Sequence, residues 1–419
     1  MELKRVVVTG LGALTPLGNT VTEFWDNLER GVSGCGPITH FDVSKFKTRI
    51  ACEVKNLDVT KFMDKKDARK LDVYSQYAMI SADEAVADSG IVDNCDKSRV
   101  GVIWATGIGG VESYGKAMLE FAAGDGTPRF SPFLIPLIIP DIAAGHISIK
   151  YGFMGPNMSV VNACASSTNA MIDALTYIRL GKADALVTGG SEYPIVIAAL
   201  GGFSSMKALS ERNDDPLTAS RPYDKDRDGF VLGEGAGALI FEELEHAKAR
   251  GAKIYCEVAG GGMSGDAYHI SAPHPDGIGV IQVIKEGLKD AGMKPEEIDY
   301  INTHGTSTPL GDVAELKAIK NVFGDHAYKM SISSTKSMTG HMLGAAGAAE
   351  AIASIGAITR GFIPPTINHF TDDPEVDNNL DLTFNVAKKK AVNAAMSNTF
   401  GFGGHNSCLI FKKYQTIRR

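Results

Sequence analysis

Ser159-Val-Val-Asn-Ala-Cys-Ala-Ser-Ser-Thr-Asn169 combines a strand-forming run, a cysteine and the start of a helix. The apolar, β-branched residues 159–161 predict a buried strand, and the segment 165–180, which Gly181 closes, predicts a helix. Cys164 falls at the junction, where the first amide groups of the helix have no intrahelical acceptor. A thiol in this position is expected to have a pKa below the usual value of about 8.5. Cys164 is therefore interpreted either as an activated nucleophile or as a buried structural cysteine.

Size, composition and charge limit the classes of protein to which the chain can belong. Its 419 residues suffice for two ordinary domains or for one large duplicated domain. With 44% hydrophobic residues, 22% charged residues and 46 glycines, it fits a compact α/β enzyme better than a fibrous or disordered protein. The formal net charge of −7 gives no global electrostatic support for a nucleic-acid partner.

The cysteines and the N-terminus predict a cytoplasmic protein. The six cysteines are scattered without a C-x-x-C pair or a metal-like spacing, which is typical of a reducing compartment. Residues 1–5 run directly into a predicted strand and lack the apolar core of a signal peptide. The least charged region, 337–359, is rich in Ala and Gly and carries Glu350, so it predicts a buried helix and no membrane span.

The predicted strands and helices follow one another in the same order in two halves of the chain, residues 1–252 and 253–419. In each half a strand is followed by a helix rich in small residues. Cys164 opens that helix in the first half, and His341 opens it in the second. This alternation predicts parallel sheets covered by helices in a duplicated α/β fold.

Three polar motifs of the second half each follow a predicted strand. The first carries His304, the second carries Lys336 and His341, and the third is the flexible turn Asn398-Thr-Phe-Gly-Phe-Gly-Gly-His-Asn406. In open α/β folds, sites assemble at the carboxyl ends of strands. One cysteine, two histidines and one lysine are therefore expected to converge.

A Gly-rich loop also follows the first strand, and it ends at Gly18. A dinucleotide-binding fingerprint would require a third glycine where Thr15 stands, and no second strand ends in an acidic residue about 20 residues further on. The loop is interpreted as a structural turn before a short helix, 22–30.

Two further segments are candidates for contacts with partners. Residues 61–88 predict one amphipathic helix with a basic first part, which is either a solvated face or a dock for an acidic partner. Residues 130–140 are apolar but interrupted by prolines, so they predict neither a helix nor a central strand. Such a segment must be covered by the rest of the fold or by a partner subunit. The basic residues of the first segment are Lys65, Lys66, Arg69 and Lys70.

Together with the first-strand loop and Arg221-Pro-Tyr-Asp224, these motifs closely resemble the β-ketoacyl-acyl carrier protein synthases of the condensing-enzyme, or thiolase-like, superfamily, elongating synthase II type. The resemblance runs from Val6 to Phe411. It implies a duplicated thiolase-like α/β fold, layered αβαβα, with two mixed, mainly parallel sheets. It also implies a homodimer that works with acyl carrier protein and elongates fatty acids by two carbons in a decarboxylating Claisen condensation.

The resemblance assigns roles to the converging residues. Cys164 would carry the acyl group, and the backbone amides of Cys164 and Phe402 would form the oxyanion hole. His304 and His341 would stabilise the enolate that forms when malonyl-carrier protein loses carbon dioxide. Lys336, paired by position with Glu315, would set the protonation of both imidazoles. The resemblance implies no required cofactor.

Other positions match the family in the same way. The gating loops would contain Gly401, Gly403 and Asp266, with Phe400 in support. The acyl pocket would include Ile108, Phe133 and Phe203. Carrier-protein docking would use the four basic residues of segment 61–88 and Lys207. A possible structural monovalent cation would lie among Asn302, Thr303, Glu350, Ser397 and Asn398.

Three alternatives accompany this interpretation. A ketosynthase of polyketide assembly would share the same cysteine and histidines, so only acceptor tests separate it from a fatty-acid enzyme. A non-catalytic chain-length factor would lack the nucleophile, and Cys164 argues against it. A thiolase would need a second cysteine near the C-terminal Gly-rich loop, whereas Cys408 lies past that loop within a predicted final strand.

Overall fold

The computed structural model describes residues 3–415, in which one ten-stranded sheet and two short ribbons are surrounded by helices. The strands of the large sheet are β1 (Val6–Leu14), β4 (Val100–Ala105), β5 (Asn157–Val160), β6 (Ala185–Glu192), β7 (Gly235–Glu243), β8 (Cys256–Gly265), β9 (Tyr300–Asn302), β10 (Ser331–Ser333), β13 (Ala394–Gly401) and β14 (His405–Lys412). The ribbons pair β2 (Gly36–Pro37) with β3 (Ile50–Ala51) and β11 (Phe362–Ile363) with β12 (Lys388–Lys389). The α-helices are α1 (Val21–Glu29), α2 (Lys65–Ala68), α3 (Val73–Ser89), α4 (Val111–Ala123), α5 (Leu134–Ile138), α6 (Ile142–Tyr151), α7 (Ser166–Arg179), α8 (Ile197–Ser205), α9 (Leu244–Ala249), α10 (Ile278–Ala291), α11 (Pro309–Phe323), α12 (Lys336–Thr339) and α13 (Ala346–Arg360).

The large sheet consists of two five-stranded halves with the same pattern. Its order is β10-β9-β13-β14-β8-β1-β7-β6-β4-β5. In the first half β5, β4 and β6 are parallel, and β7 and β1 follow antiparallel. In the second half β10, β9 and β13 are parallel, and β14 and β8 follow antiparallel. The repetition inferred from the sequence is therefore present in the strand order.

The halves join where β1 pairs antiparallel with β8, with Val6 opposite Val258. Hydrogen bonding thus makes one continuous sheet of the two that the resemblance implied, and antiparallel neighbours are slightly more frequent than parallel ones. One source of the antiparallel pairing is the short connection between β13 and β14. These two strands form a hairpin, and hairpins join antiparallel strands.

Five layers follow from the packing of the helices, as the resemblance implied. Helices α7 and α13 contact strands of both sheet halves and so form the central layer. Helices α3 and α6 cover the first half on its outer side, and α10 covers the second half with α11 packed against it. Ala346 to Ile358 of α13 are all buried, so the second part of the region 337–359 forms the expected buried helix. The first part does not continue it: α12 ends at Thr339, and a 3₁₀ turn at Leu343–Ala345 precedes α13, so His341 lies before the helix and does not open it. Within residues 3–415, no helix has the length and apolar character needed to cross a membrane.

Small residues allow the central helices to approach the strands closely. A Cβ atom built on Gly237 of β7 would lie 2.9 Å from the Cβ atom of Ala348 in α13. Real Cβ atoms do not approach so closely, so a larger residue at position 237 would push α13 away from the sheet. The same helix begins directly after the segment that carries His341, and its placement therefore fixes that residue.

Three expectations about local structure are wrong. Residues 61–88 form two helices, because the Asp72 side chain accepts the N–H of Tyr74 and starts α3 anew. Residues 134–138 form helix α5 despite Pro136, which sits in the first turn, where the missing N–H would have no intrahelical acceptor. Strand β5 is an exposed edge, and Val161 after it is 49% exposed.

Candidate active site

Cys164 lies in a tight 3₁₀ turn between β5 and α7. Ala163 before it adopts a φ of 49°, in the left-handed region that L-residues rarely occupy. The Ser166 hydroxyl holds this turn, since it accepts the N–H of Asn162 at 2.8 Å and donates to the carbonyl of Ala163 at 2.6 Å. The turn aims the Cys164 side chain into a cavity of about 570 Å³, where the residue is 9% exposed.

The two histidines reach the same cavity from the second half of the chain. Nε2 of His341 lies 3.0 Å from Sγ of Cys164, which is within hydrogen-bond reach. The ring of His304 lies edge-on to that of His341, with 5.2 Å between the ring centres. Phe230 packs against His341 and Phe400 against His304, so both imidazoles are held by aromatic neighbours. The predicted convergence of one cysteine and two histidines is present.

Lys336 is the third basic group of this cluster, and it is almost fully buried. Its ammonium group pairs with the carboxylate of Glu350 on α13, so the pairing with Glu315 is wrong. Glu315 instead accepts the backbone N–H groups of His304 at 3.0 Å and Gly305 at 2.9 Å. Glu315 therefore orients the backbone that carries His304, while Glu350 holds the ammonium group of Lys336.

Burial and the Lys336 cation decide the protonation of the histidines. The pKa of each imidazole is lowered well below its ordinary value, first by burial and then by the nearby positive charge. For His304 the neighbouring His341 lowers the pKa further. Both rings are therefore neutral at neutral pH.

The thiol behaves differently from the sequence-based expectation. Burial raises the pKa of Cys164 to about 12, and the carboxylate of Glu192 adds to the rise. Lys336 and the backbone N–H groups of Phe402 and Cys164 oppose it without cancelling it. The expectation that the helix terminus lowers the pKa of Cys164 is wrong, because the desolvation of the thiolate raises this pKa by more. Cys164 is thus a thiol that needs a proton acceptor, and His341 is the group in contact with it.

The Gly-rich turn covers the Cys164 turn from the other side. A Cβ atom on Gly401 would lie 2.8 Å from the carbonyl oxygen of Asn162, so only glycine permits this approach. Gly403 donates its N–H to the carbonyl of Ile270 at 2.7 Å, and the N–H of Asp266 donates to Gly404 at 2.9 Å. Gly401, Phe402 and Asp266 line the cavity, whereas Gly403 does not. The hydrogen bonds of Gly403 and Gly404 tie the two predicted gating loops to each other.

Only part of the predicted acyl pocket lies on this cavity. Phe203 lines it, with 6.2 Å between its ring centre and that of Phe402. Ile108 and Phe133 are not among the lining residues and are 38% and 46% exposed in the single chain. The N–H of Ile108 donates to the buried Glu192 at 3.2 Å, which holds the backbone of this residue beside the site.

Of the predicted docking residues, Lys207 alone lines the cavity, and it is exposed there. Lys65 and Lys66 lie on the short helix α2, and Arg69 follows it; all three are exposed. Lys70 is partly neutralised by Asp67, 2.8 Å away. The basic cluster is thus a surface feature separate from the cavity lining.

Three of the residues predicted to hold a cation have a buried side-chain oxygen without a hydrogen-bond partner. These oxygens are Oε2 of Glu350, Oγ of Ser397 and Oδ1 of Asn398. Ser397 lies opposite Asn302 in the pairing of β13 with β9, and Thr303 follows directly. One carboxylate with hydroxyl and amide oxygens is a donor set that suits a hard cation, so the predicted residues fit such an ion. Among residues 3–415, no cluster of three or more His, Cys, Asp or Glu side chains has the arrangement of a metal site.

The sequence reasoning missed Glu192. This fully buried carboxylate accepts the hydroxyl of Thr106 and the N–H groups of Gly107, Ile108 and Gly344. It ties the loop after β4 to the segment that follows His341, beside Cys164. An acidic residue that ends an otherwise buried strand was the available signal.

Comparison with known proteins gives consistent matches over the chain. The family models described as Beta-ketoacyl synthase, N-terminal domain, and Beta-ketoacyl synthase, C-terminal domain, match residues 3–247 and 255–370. The 3-oxoacyl-(acyl-carrier-protein) synthase 2 of Synechocystis sp. is 50% identical over 416 residues, which is 99% of both chains.

Two solved structures are similar throughout. One is a type II PKS acyl-carrier protein in complex with its ketosynthase bound to the hexaketide (AntDE:AntF), with a TM-score of 0.89, 34% identity and coverage of 99% of this chain and 100% of that one. The other is the ishigamide ketosynthase/chain length factor, with a TM-score of 0.90, 35% identity and the same coverage.

The contact between Cys164 and His341 predicts how the thiol reacts. His341→Asn removes the proton acceptor, so alkylation of Cys164 by iodoacetamide at pH 7 should slow about tenfold or more. His304→Asn, the matched loss of an imidazole that is not in contact with the sulfur, should slow it much less. Mass analysis of the Cys164 peptide measures both rates. Equal rates in H341N and the unchanged chain would contradict the assignment of His341 as proton acceptor.

Proposed function

This chain belongs to the β-ketoacyl synthase family, as its motifs indicated, and we propose that it condenses a Cys164-bound acyl group with malonyl-acyl carrier protein. The product is 3-oxoacyl-acyl carrier protein, and each cycle elongates a fatty acid by two carbons. The observation that carries the proposal is the contact of Cys164 with His341 in a buried cavity that His304 shares.

In the first step, Cys164 takes the acyl group from its carrier protein. His341 accepts the thiol proton as Sγ attacks the thioester carbonyl, because its Nε2 is in contact with the sulfur and the ring is neutral. The backbone N–H groups of Cys164 and Phe402, which face the sulfur, stabilise the oxyanion. The carrier thiolate then leaves, and His341 transfers the proton that it accepted from Cys164 to this thiolate.

In the second step, malonyl-carrier protein enters the same cavity. In this step neutral His341 is the tautomer that carries its proton on Nε2, the atom that faces Cys164. This N–H and a ring N–H of His304 donate to the thioester carbonyl and stabilise the enolate as carbon dioxide departs. Two such donors contribute several kcal/mol, since removal of one donor from an oxyanion hole costs about 2.7–4 kcal/mol. The carbanion attacks the acyl carbonyl on Cys164, a carbon–carbon bond forms, and the sulfur leaves and regains a proton.

The comparisons favour fatty-acid elongation over polyketide assembly. The relative of 50% identity carries a fatty-acid synthase name, whereas the polyketide structures are 34% and 35% identical. Cys164 and its partner His341 also speak against a non-catalytic chain-length factor, because such a protein has no use for an accessible nucleophile.

A structural monovalent cation is proposed beside Lys336, held by the unpartnered oxygens of Glu350, Ser397 and Asn398 with Asn302 and Thr303 adjacent. When bound, it would supply positive charge that fixes these oxygens. No step of the condensation passes through it, and no cofactor is needed.

A homodimer is proposed from the edge of the large sheet. Strand β5 has no partner on its outer side within residues 3–415. Large apolar side chains are exposed on the neighbouring segments: Leu119, Phe130, Phe133, Ile135, Ile149 and Val161. An unpaired edge next to exposed apolar surface is a site that proteins cover. Cover by a second copy would also bring Phe133 to the acyl pocket of the partner.

The proposed compartment is the cytoplasm, where six free thiols stay reduced.

Separate variants test the two halves of the reaction. Cys164→Ala should abolish formation of 3-oxoacyl product while decarboxylation of malonyl-carrier protein continues, because both imidazoles remain. His304→Ala should reduce decarboxylation about 100-fold or more, as expected for loss of an oxyanion donor. Carbon dioxide release and product mass measure these outcomes. A C164A chain that still elongates an acyl group would refute Cys164 as the nucleophile.

Docking of the acidic acyl carrier protein is proposed at Lys65, Lys66, Arg69 and Lys70, with Lys207 at the cavity. The double reversal Lys66→Glu and Arg69→Glu should raise KM for acyl-carrier protein several-fold at low salt with kcat little changed. Lys248→Glu with Lys253→Glu changes net charge equally on exposed side chains outside this cluster and is the control. If both double variants raise KM to the same extent, net charge and not this patch guides the carrier.

A further inference from the structure

Two cysteines outside the catalytic cavity lie opposite each other on the ribbon formed by β2 and β3. In this ribbon Gly36 faces Ala51 and Pro37 faces Ile50, so the next pair is Cys35 and Cys52. Both residues are buried, at 3% and 1% exposure. They belong to one small apolar cluster with Ile50, Ala219 and Val231.

The backbone at this pair has the geometry of a cross-strand disulfide. The N–H of Ile38 donates to Arg49 at 3.0 Å, and hydrogen-bonded and non-hydrogen-bonded pairs alternate along antiparallel strands. Cys35 and Cys52 are therefore a non-hydrogen-bonded pair, consistent with the N–H of Cys52 donating to Leu232 instead. Such pairs have Cα atoms about 4.5 Å apart, inside the range of about 4.4–6.8 Å that a disulfide requires.

The two thiols lie close together in this apolar cluster. The pKa of Cys52 is raised well above its ordinary value, first by burial and then by the thiol of Cys35 beside it. Cys52 is therefore a protonated thiol while it stays buried. Buried thiols often serve only as small apolar side chains of a core. Formation of a Cys35–Cys52 link under peroxide distinguishes a redox role from that packing role.

This pair packs directly behind His341. A Cβ atom on Gly340 would lie 2.8 Å from Sγ of Cys52, so the sulfur touches the residue that precedes His341. Gly340 has a φ of 66°, a conformation that restrains the chain at this position. The N–H of Cys52 bonds to Leu232, and the N–H of His341 bonds to the adjacent Val231. Cys52 and His341 are thus both hydrogen-bonded to the same short segment, Val231–Leu232. A displacement of Cys52 is transmitted to His341 through this segment and through Gly340.

We propose that Cys35 and Cys52 form a redox-sensitive dithiol, and that its closure to a disulfide slows the reaction by displacing His341. The oxidant is a hydroperoxide. Once the ribbon opens to water, one thiol loses its proton and the thiolate attacks a peroxide oxygen. The O–O bond breaks, a sulfenic acid forms, and the leaving hydroxide takes up the proton to give the first molecule of water. The other thiol then attacks that sulfur, an S–S bond forms and water leaves. Two thiols lose two electrons and two protons, and hydrogen peroxide is reduced to two molecules of water.

Access for a small oxidant comes from the position of the ribbon. Strands β2 and β3 have two residues each and lie outside the ten-stranded sheet. Most residues of the connection 39–49 are exposed or half-buried. Short elements with few buried contacts open locally at low cost. Opening of this ribbon exposes both thiols without unfolding the core.

The test uses Cys164→Ala as the starting chain, so that oxidation of the nucleophile does not interfere. The full-length variant is exposed to hydrogen peroxide, and malonyl decarboxylation and non-reduced peptide masses are followed together. The rate should fall several-fold as a linked peptide pair containing Cys35 and Cys52 appears, two hydrogens lighter than the reduced pair. Dithiothreitol should restore both. Adding Cys35→Ser should abolish the loss, whereas adding Cys95→Ser, the matched removal of a half-buried cysteine, should leave it intact.

Two results would overturn the proposal. The first is no Cys35–Cys52 link under peroxide that oxidises Cys95. The second is a link that forms without any change in decarboxylation, which would leave the pair with no effect on His341. The inference rests on the proposed function only through the activity readout. If the reduced variant shows no decarboxylation, the proposed function has failed, and the peptide masses still decide whether the pair oxidises.

Discussion

A buried ion pair is the constraint on which the site depends. Lys336 is 1% exposed and pairs with Glu350, which is itself buried. Removing one partner of a buried ion pair costs several kcal/mol, so neither side chain is free to change alone. The charge disfavours protonation of both imidazoles and favours loss of a proton from Cys164. The Lys336 charge thus keeps His341 unprotonated at rest, so that the ring is available as an acceptor, and it helps Cys164 to release its proton.

The duplicated fold explains why these groups meet. Each half places a tight 3₁₀ turn before a central helix, and the two turns, at Ala163–Ala165 and Leu343–Ala345, face each other in the middle layer. Both turns contain a residue with positive φ, Ala163 and Leu343. Such conformations persist where the surrounding structure over-determines them, and these two turns pack against each other between the sheet halves. A nucleophile from one half therefore lies next to a base from the other.

Sequence patterns predicted what is local and what repeats. The strand ends that carry His304, Lys336 and His341 and the small-residue helices followed from motifs and spacing, whereas the resemblance alone placed Gly401 in a loop at the site. The partner of Lys336 did not, because Glu315 and Glu350 are both buried acids on helices and only the packing of α13 brings one of them to the ammonium group. The pKa of Cys164 was misjudged because desolvation depends on the whole cavity, whereas a helix terminus can be recognised in the sequence. Ile108 and Phe133 were placed on the pocket by resemblance, and a single chain does not bring them there.

The dependence on the Lys336 charge is tested most directly by the pH profile of Cys164 acylation in Lys336→Met, followed by the mass of the intact chain after mixing with acyl-carrier protein. Loss of the cation raises the pKa of His341 toward its ordinary value and also raises that of the Cys164 thiol. An unpaired Glu350 would act on the imidazole in the same direction. Each change reduces acylation at the acidic end, so the profile should move to higher pH relative to the unchanged chain. A profile that stays in place, or moves to lower pH, would contradict the account.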